Sequence, residues 1–266
     1  MKKYKFNFDN KNVVILGATS NLSYRIIEAF YEYGTNLHLI GRNKDKLKNL
    51  LDNFPKAKIY SVDIQDRDKL KEIANTIKTI DIMFNFVGGN LKSATTSEDV
   101  SFFDLDIDNI NKALWLNIFG GAIIPTQIFG KAMVQNPNGG SIINISSMTA
   151  IRPLTKIVGY SMAKAAIENF TKWLSVDIAL NHNKKVRVNS IAPGFFLTEQ
   201  NKYLLLDDKE KLTSRGQQIL NQTPMSRFGK SEDLVSTALF LASDLSQFIT
   251  GICVPVDGGF SAYAGV

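Results

Sequence analysis

Seven short apolar runs alternate with stretches of helical periodicity along this 266-residue chain, and that alternation restricts the fold more than any other property. Strands are expected at Asn12–Leu16, Asn36–Ile40, Lys58–Val62, Ile80–Phe86, Ser141–Ile145, Val186–Ala192 and Ile252–Val256. Several are continuous apolar runs, as expected of strands covered on both faces. Helices are expected at Leu22–Tyr33, Asp66–Ile77, Asp108–Gln135, Tyr160–Leu180 and Glu232–Ala242. The fold class that follows is α/β, a doubly wound parallel sheet of about seven strands. No composition break or repeat divides it, so residues 1–266 are expected to form one domain.

Composition narrows the function classes. A hydrophobic content of 44% is enough for one large core. No run is expected to reach the length of a membrane span, and no apolar signal region follows the basic start, so the chain reads as cytoplasmic. Cys253 is the only cysteine, which excludes an internal disulfide and suits a buried small hydrophobe. His38 and His182 are far apart and lack cysteine companions, so no metal site is expected. The net charge of +6 is scattered, and no nucleic-acid motif accompanies it. It fits attraction of anionic small molecules, and equally a lysine-rich background.

Two stretches escape the alternation: a polar loop at Gly88–Asp106 and a longer insertion at Pro193–Met225. Both leave the carboxyl ends of strands, where open α/β sheets bind ligands. The second is expected to act as a substrate loop or lid at about 193–225. The first strand runs into Gly17-Ala18-Thr19-Ser20-Asn21-Leu22-Ser23, a Rossmann-type turn at which helix N–H groups can meet a pyrophosphate. Asn21 and Ser23 stand where the second and third glycines usually are, and Asn21 tolerates a left-handed backbone. The second strand ends in Gly41-Arg42, without the carboxylate that would accept NAD ribose hydroxyls. Arg42 could pair with a 2′-phosphate, favouring NADP with NAD as the alternative. Asp63 could accept from an adenine amino group, and Gly88-Gly89 lets the chain pass close to a cofactor.

The chemistry is expected at Tyr160 and Lys164, thirteen and seventeen residues after Ser147. Side chains four apart share a helix face, so the Lys164 ammonium can lie by the Tyr160 phenol and lower its pKa from about 10. With Ser147 holding a carbonyl oxygen, these parts suit proton transfer beside a moving hydride.

These pieces, with Asn85, Asn117, Asn144-Ile145-Ser146-Ser147 and Asn189-Ser190-Ile191-Ala192-Pro193-Gly194 followed by Thr198, arrive in an order that resembles the short-chain dehydrogenase/reductase family over nearly the whole chain. The resemblance implies that Tyr160 is the acid/base and that Lys164 binds the nicotinamide ribose and lowers the tyrosine pKa. It implies that Ser147 polarises the carbonyl and that Asn117 holds a water linking Lys164 to solvent. It implies cofactor contacts at Gly17, Thr19, Ser20, Asn21, Leu22, Arg42, Asp63, Ile64, Asn85, Gly88, Tyr160, Lys164, Pro193, Gly194 and Thr198. Leu16, Asn21, Ser23 and Phe86-Val87 depart from the family pattern and bear on cofactor affinity and phosphate geometry. Members usually form homotetramers or homodimers through the two long helices.

Residues 88–96, 147–156, 192–201 and 256–263 further resemble the fructuronate reductase group, also called D-mannonate oxidoreductases, which implies reversible reduction of D-fructuronate to D-mannonate. A sugar acid needs a cation and several hydrogen-bonding groups. Arg152, or failing it Lys92 or Lys156, is the expected carboxylate partner, with Asn90, Ser147 and Gln200 as further substrate contacts. The alternatives are a gluconate-type keto acid, a polyol or a 3-oxoacyl thioester as substrate, or a non-catalytic nucleotide-binding regulator.

Overall fold

The computed structural model describes residues 5–198 and 202–265. Its sheet contains β1 (Asn12–Leu16), β2 (Asn36–Gly41), β3 (Lys58–Ser61), β4 (Ile82–Asn85), β5 (Gly140–Ile145), β6 (Val186–Pro193) and β7 (Cys253–Val256). The order is β3-β2-β1-β4-β5-β6-β7 and every pair is parallel. This is the doubly wound sheet expected. The chain order reverses between β1 and β4, which opens the crevice.

Strand periodicity divides the core between the two faces. Val13 and Ile15 of β1 join Leu37, Leu39, Phe84 and Ile143 under α1 (Tyr24–Glu32) and α10 (Val235–Ala242). Val14 and Leu16 join Met83, Ile142 and Val188 on the other face, under α3 (Arg67–Ile77), the long 107–134 helix and α7 (Val158–Asn181). Both faces are apolar because both are covered.

Helix α2 (Lys44–Asn53) was not expected from the periodicity. It buries only Leu47 and Leu50, too narrow a stripe to stand out among its lysines, and the Asn43 cap accepting from Lys46 N (2.9 Å) was the available signal. The helix expected at 108–135 starts as α4 (Ile107–Leu114) and then winds as a π-helix over Trp115–Ile123 and Thr126–Gly130 before α5 (Lys131–Val134). Gly120, Gly121 and Pro125 lie in or beside the wide turns and weaken the regular ladder. This corrects the membrane expectation too. Among the described residues, the 107–134 helix is long and apolar enough to span a bilayer, and it is instead mostly buried in the fold.

After β5 comes the single turn α6 (Met148–Ile151). After β6, the insertion carries α8 (Lys202–Leu205) and α9 (Ser214–Asn221). It returns to its base through the Phe196–Gly229 bridge.

Candidate active site

Gly17, Gly88, Ser147 and Gly194 all lie just past the carboxyl ends of their strands, β1, β4, β5 and β6. The crevice they border holds a cleft of about 690 Å³ walled by Gly17, Thr19, Ser20, Arg42, Asp63, Ile64 and Gly88. The Gly17 turn is close-packed. Its φ is +74°, and a β-carbon there would stand 2.7 Å from the Phe86 carbonyl carbon. Asn21 does not take the left-handed backbone anticipated for it; within this turn only Gly17 has a positive φ. Ser23, in the third glycine position, is fully buried and donates to Ala18 O (2.9 Å) and Ser20 O (2.8 Å). Its hydroxyl thus staples the turn that a glycine would merely fit. Ser23 makes no side-chain cap to α1, whereas α2, α3 and α4 are capped by Asn43, Asp66 and Asp106. The start of α1 is therefore suited to an anion.

Across the crevice, Thr198 lines a smaller cavity of about 270 Å³ together with Asn21 and Leu22. Pro193 ends β6, and Gly194 N donates to Val256 O (2.9 Å). Gln200 lies outside the described residues.

At the β2 end, the Arg42 guanidinium is largely exposed and stands 3.8 Å from an Asp63 carboxylate oxygen. The other Asp63 oxygen accepts from Gln65 N (2.9 Å). The cleft wall also includes Lys46, Gln65, Trp115 and Leu116, which sequence reasoning missed. Lys46 was reachable through its place three residues after the Asn43 cap. Trp115 and Leu116 were not, because the π-helical winding re-aims them. Asn85 stands apart from the cleft wall: it donates to Asn144 Oδ1 (2.8 Å), and Asn144 donates to Thr171 Oγ1 (2.9 Å). It secures β4 to β5 and α7, and its own Oδ1 is buried without a protein partner.

The four expected catalytic residues converge. Ser147 caps α6, accepting from Thr149 N (3.3 Å), and its hydroxyl is near enough to the Tyr160 phenol to favour the phenolate. Lys164, one turn further along α7, is buried; its Nζ donates to Ile145 O (2.8 Å) and lies 5.5 Å from the centre of the Tyr160 ring. Burial lowers the lysine pKa to about 8. Asn117 sits in the π-helical stretch with its carboxamide fully engaged. Oδ1 accepts from Gly89 N (3.0 Å), while Nδ2 donates to Gly89 O (3.0 Å) and Ala113 O (2.9 Å). Wide turns of this kind recur at functional sites, where they present a residue a regular helix would turn away.

One electrostatic expectation is corrected. The cation does not bring the Tyr160 pKa down in this arrangement. Burial is the larger influence and pushes the phenol above its usual 10, while the nearby Ser147 hydroxyl pulls the other way. The desolvation that makes Lys164 a weaker cation also disfavours the phenolate.

The substrate-side residues are placed as follows. Asn90 donates to Thr95 Oγ1 (3.1 Å) within its own loop. Thr96 N donates to Lys156 O (2.9 Å), which joins the loop after β4 to the loop before α7. Arg152 is held at Nη1 by the carbonyls of Phe260 (3.3 Å) and Tyr263.

The residues present fit a nicotinamide dinucleotide: a glycine turn, an uncapped helix start, a cleft lined by Arg42, Lys46 and Lys112 with no carboxylate directly ending β2, and a half-buried Tyr160 beside the buried Lys164. Comparison with known proteins agrees. A family model described as enoyl-(acyl carrier protein) reductase matches residues 17–261. An uncharacterized oxidoreductase of Haemophilus influenzae is 42% identical over 98% of this chain and 96% of its own length. The uncharacterized oxidoreductase UxuB of Bacillus subtilis is 39% identical over 98% of both. A crystal structure from Haemophilus, of a protein provisionally named D-mannonate oxidoreductase and solved with bound NAD, superposes with a TM-score of 0.88 at 41% identity, covering 98% of each chain. With the Ser147–Tyr160–Lys164 cluster at the crevice, these matches place the chain in the short-chain dehydrogenase/reductase family, as an oxidoreductase of alcohol and ketone groups.

Proposed function

We propose that the protein is a nicotinamide-dependent oxidoreductase of a sugar acid, interconverting D-fructuronate and D-mannonate. The observation that carries the reaction class is the gathering of Ser147 and Tyr160 beside the buried Lys164, whose Nζ lies 5.5 Å from the centre of the Tyr160 ring. The substrate reading is supported by the provisional name of the Haemophilus relative.

The dinucleotide would be held by the Gly17–Leu22 turn, Asp63, Ile64, Gly88, Lys164 and the Pro193–Thr198 segment, and it would supply or take up the hydride. Tyr160, whose pKa burial raises, stays protonated at neutral pH and gives its proton to the substrate oxygen. Ser147 donates to the same oxygen as charge develops there. Lys164, with a pKa of about 8, remains mostly cationic at pH 7 and favours the phenolate once the proton has left. Asn117 holds the Gly88-Gly89 backbone in place behind Lys164. The substrate carboxylate falls to Lys92 or Lys156, whose loops are joined by the Thr96–Lys156 bond. The segment at about 193–225 closes over the substrate.

Arg42 and Lys46 beside the cleft, with no carboxylate directly after β2, support NADP as the preferred cofactor. The NAD of the Haemophilus relative supports NAD as a second one. Exposed apolar side chains on α7 (Met162, Trp173, Val176 and Leu180) support a homodimer or homotetramer built on that helix.

A second substrate reading is a 3-oxoacyl thioester, for which the description of the matching family model supports the acyl-carrier-protein thioester but names its enoyl form. The test is a spectrophotometric screen of hexuronates, aldonates, gluconate-type keto acids, polyols and 3-oxoacyl thioesters with NADPH and NADH. D-Fructuronate is expected to lead, with kcat/KM of about 10⁴ M⁻¹ s⁻¹ or more. A faster thioester would replace the substrate and keep the reaction. Tight cofactor binding with no turnover of any compound would favour a regulator and end the enzyme reading.

A further inference from the structure

Ser147 and Arg152 are the two ends of one helical turn. Ser147 caps the start of α6, and Arg152 closes its end, donating its backbone N–H to Met148 O (2.9 Å). A four-residue helix has no stability of its own. Where its first residue sits therefore depends on what holds its last. That anchor is the Arg152 side chain, whose Nη1 donates to the carbonyls of Phe260 and Tyr263.

Those carbonyls belong to a tight turn after β7. The Asp257 carboxylate closes it by accepting from Gly259 N and Ser261 N, both at 2.9 Å. The turn also holds both ends of the insertion after β6. The Phe260 ring meets Phe195 edge-on at 5.2 Å, near where the insertion begins. Gly258 O accepts from Met225 N (3.1 Å) where the insertion ends. The guanidinium, a fixed planar fork with strong charge-assisted donors, is suited to bind two backbone carbonyls at once.

We propose that Arg152 is a positioning residue that ties the two ends of the insertion after β6 to Ser147 through the C-terminal turn, and that it does not bind the substrate carboxylate. The inference rests on the part given to Ser147 in the proposed function.

The test compares the full chain with Arg152→Met, Arg152→Lys, a chain ending at Ser261 (which lacks the Tyr263 carbonyl) and the combination of Arg152→Met with that truncation. Amide hydrogen exchange is followed without ligand. Residues 148–151 and 223–229 are expected to exchange about tenfold faster in Arg152→Met and in the truncated chain, since both cut the same tether. With any ketone the enzyme reduces, kcat should fall about 10- to 100-fold, the scale of a small misplacement of a reacting group, with KM little changed. The double variant should be no worse than either single one, and Arg152→Lys should recover part of the loss. Unchanged exchange at 148–151 overturns the proposal. So does a tenfold rise in KM confined to carboxylate-bearing substrates with kcat intact, which would return Arg152 to direct binding. If Arg152→Met fails to fold, the truncated chain alone decides by exchange. The exchange result stands even if the substrate class proposed above is wrong.

Discussion

Gly88 leaves no room for a β-carbon beside the Asn117 carboxamide: one built there would lie 2.6 Å from Asn117 Oδ1 and 3.5 Å from Lys164 Nζ. The Gly88 backbone also has a φ of +141°, which side chains disfavour. The exit of β4, the π-helical turn and the buried lysine therefore meet at one point. Gly88→Ala is expected to displace the Asn117 carboxamide beside Lys164 and to lower kcat by about 100-fold. Steady-state kinetics check this, and a variant with normal turnover would show that the carboxamide can move without consequence.

Tyr160→Phe removes the phenol and leaves the ring in place. Turnover should fall by about 10²-fold or more, while the affinity for the nicotinamide dinucleotide, read by cofactor fluorescence, changes little. Retained turnover would assign the proton transfer to another group.

Lys164 has a folded pKa of about 8 against an ordinary 10.5, because it is buried. The unfolded chain thus binds more protons between those two values, and stability rises as pH climbs from 8 to 10.5. Below pH 8 the buried cation costs roughly 3 kcal/mol. Lys164→Met should therefore be more stable than the wild type in urea at pH 7, and the gap should close near pH 10.5. A gap independent of pH would place the lysine in a better-solvated site than its 3% exposure implies.

His38 is buried in β2 with Nδ1 3.1 Å from the Tyr60 hydroxyl, and burial lowers its pKa to about 4. Its folded value lies below the unfolded 6.5, so the neutral ring's contribution is complete above pH 6.5 and is lost as pH falls toward 4, by roughly 3 kcal/mol. His38→Phe keeps the stacking on Tyr60 and removes the titration. Its acid-unfolding midpoint, followed by circular dichroism, should move to lower pH. An unmoved midpoint would assign acid unfolding to other groups.

The seven strands and the crevice were legible in the order of residues because each strand advertises itself by a local apolar run. Ser147, Tyr160 and Lys164 were legible for a related reason: their spacing along one helix and its preceding strand already determines that they can meet. Lys46 was overlooked because α2 buries so little that its periodicity hides among charges.

What the chain by itself determined, then, was the short-range part: which segments extend, which coil, and which side chains share a helical face. Tertiary structure decided the rest. The wide turns around Asn117 depend on how the long helix meets the exit of β4. The partners of Arg152 come from residues 108 and 111 positions away. The direction of the Tyr160 shift reversed because desolvation, the sum of everything folded around the phenol, outweighs one cation a turn away. Local periodicity is set by neighbours in sequence, whereas burial and tethering are set by neighbours in space.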